Sequence, residues 1–129
     1  MVDILIADDD PLVRRYLSIV MERDGHRCIA VENGAEAIAL LACTRFDMAI
    51  VDIFMPVKEG IETILEIRQR FPDTKIAAMS AGGRVMTSCQ ALDFARCFGA
   101  DAVLPKPFSL DALRATMSSL LDRGDRTAA

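Results

Sequence analysis

Four short apolar runs in this 129-residue chain each end on a side chain able to do chemistry. DILIA leads into Asp8, Asp9 and Asp10; DMAIV leads into Asp52; KIAAM leads into Ser80; and the run ending at Leu104 leads into Pro105, Lys106 and Pro107. Adjacent carboxylates repel one another, so a fold that keeps them together must compensate them with solvent, a helix N-terminus or a metal. Carboxylates from two runs, with room for water, suit a hard divalent cation, and Mg2+ takes one or two carboxylates plus phosphate oxygens. With such a cation present, Asp52 stays ionised and can attack phosphorus as a carboxylate nucleophile. The three outer phosphoryl oxygens then have candidate partners in the cation, in Lys106, and in Ser80 together with backbone N–H groups.

Each residue also has a plainer explanation. Asp10 before Pro11 reads as a helix cap, and Asp8 and Asp9 alone could be solvated turn residues. Ser80, close to Gly82 and Gly83, could mark a turn, and Lys106 between prolines could sit in a surface loop. What favours the chemical reading is the elements that must carry these residues. Strands are expected over 3–7, 27–31, 47–51, 75–79 and 101–104. Between them lie stretches with helical spacing. The first opens on Asp10 and Pro11, where the missing N–H costs nothing. The second opens on Asn33 with Glu36 as a capping box, with Ile38, Leu41 and Ala42 facing inward. The third carries Ile61, Ile64, Leu65 and Ile67 and is stopped by Pro72. The fourth covers 85–98, with Gly99 just past its end. The last is capped by Ser109 and carries Leu110, Leu113, Met117, Leu120 and Leu121.

Strict alternation of strand and helix implies an α/β, doubly wound fold: a parallel sheet with helices on both faces. In such sheets ligands bind beyond the carboxyl ends of the strands, which is where all the candidate residues fall. The domain is expected over 1–123, with 124–129 as a loose tail and no output domain in the chain.

Composition narrows the function classes. Fifteen basic against 19 acidic residues give a net charge of −4, which argues against binding to a nucleic-acid backbone. No apolar run reaches the roughly 18 residues of a membrane span, and the N-terminus lacks the basic stretch of a signal peptide. Cys28, Cys43, Cys89 and Cys97 form no CxxC pair, and His26 is the sole histidine. The cysteines are therefore expected to be buried small hydrophobes in a reducing cytoplasm rather than zinc ligands.

The stretches ILIADDDPLVRR, VDIFMP with the following Lys58, Glu59 and Gly60, AAMSAGG and GADAVLPKPF together resemble the receiver domains of bacterial two-component response regulators, in the family's order and over essentially the whole chain. The resemblance implies a flavodoxin-like (CheY-like) five-stranded parallel sheet of order 2-1-3-4-5 flanked by five helices. It implies that Asp52 accepts phosphate from a histidine kinase, that Asp8, Asp9 and Asp52 hold Mg2+ with the backbone carbonyl of Phe54, and that Ser80 and Lys106 engage the phosphoryl group. It also implies a cis Lys106–Pro107 bond. The expected role is a stand-alone phosphorelay switch, not an enzyme, with a sensor kinase or phosphotransfer protein as donor and an unidentified downstream protein as target. Helix 1, with Leu12, is the expected kinase contact. Helix 4, strand 5 and helix 5 form the expected output or dimer face, to which Met86, Val103 and Phe108 could add apolar area, a core role for each being an equal expectation.

Three features depart from the family pattern. Val103 stands where many members carry Tyr or Phe, so an aromatic switch is expected to be missing and activation to show mainly in residues 80–98. Ser80 and Lys106 lie 26 positions apart, more than the family spacing, which predicts a long loop at Ala81–Cys89 and a late or shortened fourth helix. Phe54 is expected to hinder hydrolytic water and give a long-lived phosphoaspartate. An aspartyl phosphohydrolase of the haloacid-dehalogenase type is disfavoured because Asp52 is followed by Ile53 and Phe54 rather than by a second acid at DxD spacing. A nucleotide-binding protein is disfavoured by the absence of GxGxxG and GxxxxGK[ST]. A purely structural relative would be expected to lose Asp52 or Lys106.

Overall fold

Apolar residues at every position of a strand, rather than at alternate ones, require cover on both faces, and the central strands meet that requirement. In the computed structural model, which describes residues 2–53, 60–80, 93 and 95–128 (backbone alone for 122–128), β1 (Asp3–Ala7), β2 (Arg27–Val31), β3 (Met48–Asp52), β4 (Lys75–Ser80) and β5 (Ala102–Pro105) form one sheet. All neighbouring pairs are parallel, in the order β2-β1-β3-β4-β5. The helices are α1 (Pro11–Arg23), α2 (Gly34–Cys43) and α3 (Gly60–Arg70). A segment follows of which residues 93 and 95–97 are described as helical (α4), then α5 (Leu110–Ala128).

The pleat sends alternate residues to opposite faces. Ile4 and Ile6 of β1 and Met48 and Ile50 of β3 meet Leu17, Met21, Leu113 and Met117 of α1 and α5. Leu5, Ala7, Ala49 and Val51 meet Ile38, Leu41, Ile64, Ile67 and Ala95 on the other side. Neither helical layer could bury its apolar stripe without the sheet between them, so one set of strands positions both.

Local capping follows the sequence closely. Asp10 accepts from the Leu12 amide at 2.9 Å, Asn33 from Glu36 at 2.9 Å, and Ser109 Oγ from Ala112 at 3.0 Å. The box at α2 closes through its side chains, with Asn33 Nδ2 donating to Glu36 Oε1 at 3.0 Å. Gly99 has φ of 115°, the left-handed turn expected just past the fourth helix. Arg68 grips that turn, donating to the Gly99 carbonyl at 3.0 Å and pairing with Asp101.

Some expectations are corrected. Ala42 is exposed, and Gly34 and Ala37 are buried with Ile38 and Leu41: the stripe of α2 runs back towards its N-terminus. Leu65 and Leu110 are also exposed, each lying off the line set by Ile64–Ile67 and Leu113–Met117–Leu120. Cys43 and Cys97 are exposed rather than buried. Cys28 is half-buried, and its burial, helped by the charge of Glu22, pushes the thiol up to about 11, so it stays protonated. The stretch 124–128 is helical rather than a loose tail. An interior glycine costs a helix only about 1 kcal/mol relative to alanine, and no proline interrupts the run. The loop and late helix start expected at Ala81–Cys89, together with Met86 and Cys89, lie outside the described residues.

Candidate functional site

Strand register alone brings the candidate residues to one edge. Ala7 pairs with Val51, so the next residues, Asp8 and Asp52, leave β1 and β3 side by side. Ser80 pairs with Pro105, and the Lys106 amide continues that ladder to the Ser80 carbonyl at 2.8 Å. Asp8, Asp52, Ser80 and Lys106 therefore occupy the carboxyl ends of four adjacent strands.

The carboxylates converge. One oxygen from each of Asp8, Asp9 and Asp52 lies within 4.8 Å of the others. Asp8 is fully buried and Asp52 is 6% exposed, while Asp9 faces water. Lys106 Nζ donates to Asp8 Oδ2 at 2.8 Å and to Asp52 Oδ2 at 3.2 Å. Burial by itself would push the Lys106 ammonium down. The hydrogen bond to Asp8 and the charges of Asp52 and Asp8 outweigh it and hold the group above its ordinary value, so Lys106 is a fixed cation at neutral pH.

This donor set fits Mg2+: oxygen ligands only, three carboxylates from two strands, and one of them open to solvent so that the ion can keep waters. Of the residues expected to build the site, Asp8, Asp9, Asp52 and Lys106 are brought together. Ser80 is buried at the end of β4, with its backbone joined to Lys106. Phe54, expected to supply a carbonyl and to hinder water, lies outside the described residues. The Lys106–Pro107 bond is cis, as the resemblance implied.

Two contacts had no role in the sequence reading. Arg14 donates to the Asp8 carbonyl at 2.8 Å. Gly60 opens α3 directly against the strand that carries Asp52, its amide donating to the Ile53 carbonyl at 2.9 Å. A Cβ at Gly60 would collide with the Asp52 carbonyl oxygen and Ile53 Cα and lie 2.7 Å from the Ile53 carbonyl oxygen. These are backbone atoms of a paired strand and cannot give way cheaply. Gly60→Ala is expected to destabilise the fold by about 3 kcal/mol, measured as a shift in the urea midpoint; a midpoint unchanged from the parent would contradict the close approach.

Comparison with known proteins agrees with this geometry. A family model described as the response regulator receiver domain matches residues 4–118. Response regulator MprA of Mycobacterium sp. (strain KMS) is 36% identical over 122 residues, covering 95% of this chain and 51% of that protein. The chain thus spans about half the length of the curated relatives it matches. Among solved structures, response regulator TrrA from Thermotoga maritima, in complex with Mg2+–BeF, is 32% identical with a TM-score of 0.81, covering 93% of this chain and 99% of that one. A CheY-like receiver domain protein from Methanospirillum hungatei is 25% identical with a TM-score of 0.88, covering 97% of each chain.

Proposed function

The chain belongs to the response regulator receiver domain family, and from that premise we propose that it is a phosphorylation switch in which Asp52 accepts a phosphoryl group from a histidine kinase or phosphotransfer protein. The observation that carries the reading is the packing of Asp8, Asp9 and Asp52 around one point, with Lys106 bonded to two of them. In the proposed step, a carboxylate oxygen of Asp52 attacks phosphorus and the P–N bond to the donor histidine breaks as the P–O bond forms. Mg2+, held by Asp8, Asp9, Asp52 and the Phe54 carbonyl, would draw charge from the phosphoryl oxygens. Lys106 swings its ammonium from the carboxylates to a phosphoryl oxygen, and the Ser80 hydroxyl meets another. These groups stabilise charge where it develops.

The donor must approach past α1. Leu12 is 76% exposed and Tyr16 43%, and with Val13, Lys106, Pro107 and Phe108 they line a groove of about 340 Å³. An apolar face that ends on the catalytic lysine suits a kinase helix. Of the residues that could serve either the output face or the core, Val103 of β5 packs against one core cluster and Phe108 against the other, each only partly buried. Among the described residues no helix is long and apolar enough to cross a membrane, and we read the switch as a cytoplasmic signalling protein rather than an enzyme acting on external substrates.

The test uses acetyl phosphate with Mg2+. The expected product is a single alkali-labile phosphate that accumulates on the protein and does not form when the metal is chelated. Rapid turnover of phosphate esters with no adduct would favour a hydrolase.

A further inference from the structure

Arg14 is the fourth residue of α1, and its amide closes the first helical turn on the Asp10 carbonyl at 3.1 Å. A cation in the first turn opposes the helix dipole, which favours acids there, and the first turn of α1 holds no acid. Its side chain is half-buried, whereas that of Arg15 is exposed. A residue that breaks a local rule while partly buried needs a compensating contact. For Arg14 that contact is the Asp8 carbonyl, six residues back, at 2.8 Å.

Asp8 is held on every polar atom. Its amide donates to the Val31 carbonyl at 3.1 Å. Oδ1 accepts from the Asp10 amide at 2.8 Å, and Oδ2 accepts from Lys106. The carbonyl accepts from Arg14. The Val31 and Lys106 bonds hold the Asp8 amide and side chain, and the Asp10 bond closes a turn that spans the Asp8–Asp9 peptide. Arg14 alone, among the described contacts, grips that peptide's own carbonyl and so adds a direct hold on its plane, on which the direction of the Asp9 carboxylate depends. Asp9 is exposed, so packing does not hold it.

Building on the reading of the site given above, we propose that Arg14 is a positioning residue that locks the Asp8–Asp9 peptide so that both carboxylates serve one divalent cation. Groups that orient metal ligands from behind commonly contribute about 10–100-fold to metal affinity when removed. The guanidinium fork suits the task because it is planar and rigid, where an ammonium is a point donor on a flexible stem.

The test is Mg2+ binding to the full chain by isothermal titration calorimetry, with thermal melting followed alongside. Arg14→Met, which keeps the stem and removes the donors, is expected to weaken Mg2+ by about tenfold. Arg14→Lys is expected to fall between Met and the parent. Arg15→Met removes the same charge one residue away and is expected to stay close to the parent, which separates the hydrogen bond from general electrostatics. Phosphorylation by acetyl phosphate in Arg14→Met should recover towards the parent rate at saturating Mg2+, a change in metal dependence that mere loss of fold would not give. Parent-like Mg2+ affinity in Arg14→Met, or in Arg14→Lys if the Met variant does not fold, overturns the proposal. Equal weakening in Arg15→Met overturns it as well. A parent chain that neither binds Mg2+ nor takes up phosphate would instead overturn the functional reading on which it rests.

Discussion

Asp52→Asn is expected to abolish the alkali-labile phosphate, with uptake from acetyl phosphate falling by at least ~10³-fold. The amide keeps the shape of the side chain but has no anionic oxygen to attack phosphorus. Asp8 and Asp9 cannot substitute. Asp8 is fully buried with both oxygens engaged, and Asp9 leaves the strand end one residue later, towards solvent. The fold should survive. Removing one carboxylate relieves like-charge crowding among the three, and the Lys106–Asp8 pair remains at 2.8 Å. Mass spectrometry after incubation with acetyl phosphate and Mg2+ reads the first effect, and thermal melting the second. Phosphate uptake by a folded Asp52→Asn chain at the parent rate would exclude Asp52 as the acceptor.

The sheet and most of this site were legible because both depend on short-range pattern. Residues such as Ile4–Ala7 and Met48–Val51 are apolar throughout, and a strand buried on both faces needs nothing more to be recognised. Asp8, Asp52 and Ser80 stood out because each directly follows such a run, and Lys106 because only Pro105 separates it from another; a parallel sheet gathers those positions on one edge whatever the loops do. Arg14 was quoted in the motif without a role, although a basic residue in an acid-free first turn was a usable signal. Gly60 was equally silent. Its meaning lies in how closely α3 approaches the Asp52–Ile53 backbone, a tertiary distance that no local spacing encodes. Helix faces were legible only in part, for the same reason. Leu65 and Leu110 have the right residue type, but neighbouring layers decide which side of a helix turns inward. The helical end of α5 was not legible: Gly124 opens the stretch expected to be loose, yet within a helix a glycine's cost is modest.

Lys106→Met should produce two separable losses. The first is chemical. With Lys106 absent, a developing phosphoryl charge loses one preorganised cation, and phosphorylation should slow by about 10²–10³-fold. The second is a new pH dependence of stability. In the parent, Asp8 and Asp52 both bond Lys106, whose ammonium is held above its ordinary value. That contribution is fully present below the unfolded lysine value near ~10.4 and is lost only as the pH rises through the higher folded value, so it is constant across the neutral range. Without Lys106, two buried carboxylates face each other, and one must take up a proton at a pH above its unfolded value near ~3.9. The folded variant then binds more protons than the unfolded chain, and stability falls as pH rises from that unfolded value through the raised one. The variant should melt closer to the parent at pH 5 than at pH 8, with a deficit of about 3–5 kcal/mol once both carboxylates are ionised. Saturating Mg2+ should return part of the loss at pH 8, since the ion supplies positive charge to the same oxygens. An equal deficit at both pH values, unmoved by Mg2+, would mean that Lys106 stabilises the fold through packing of its stem and not by holding the two aspartates in their charged form.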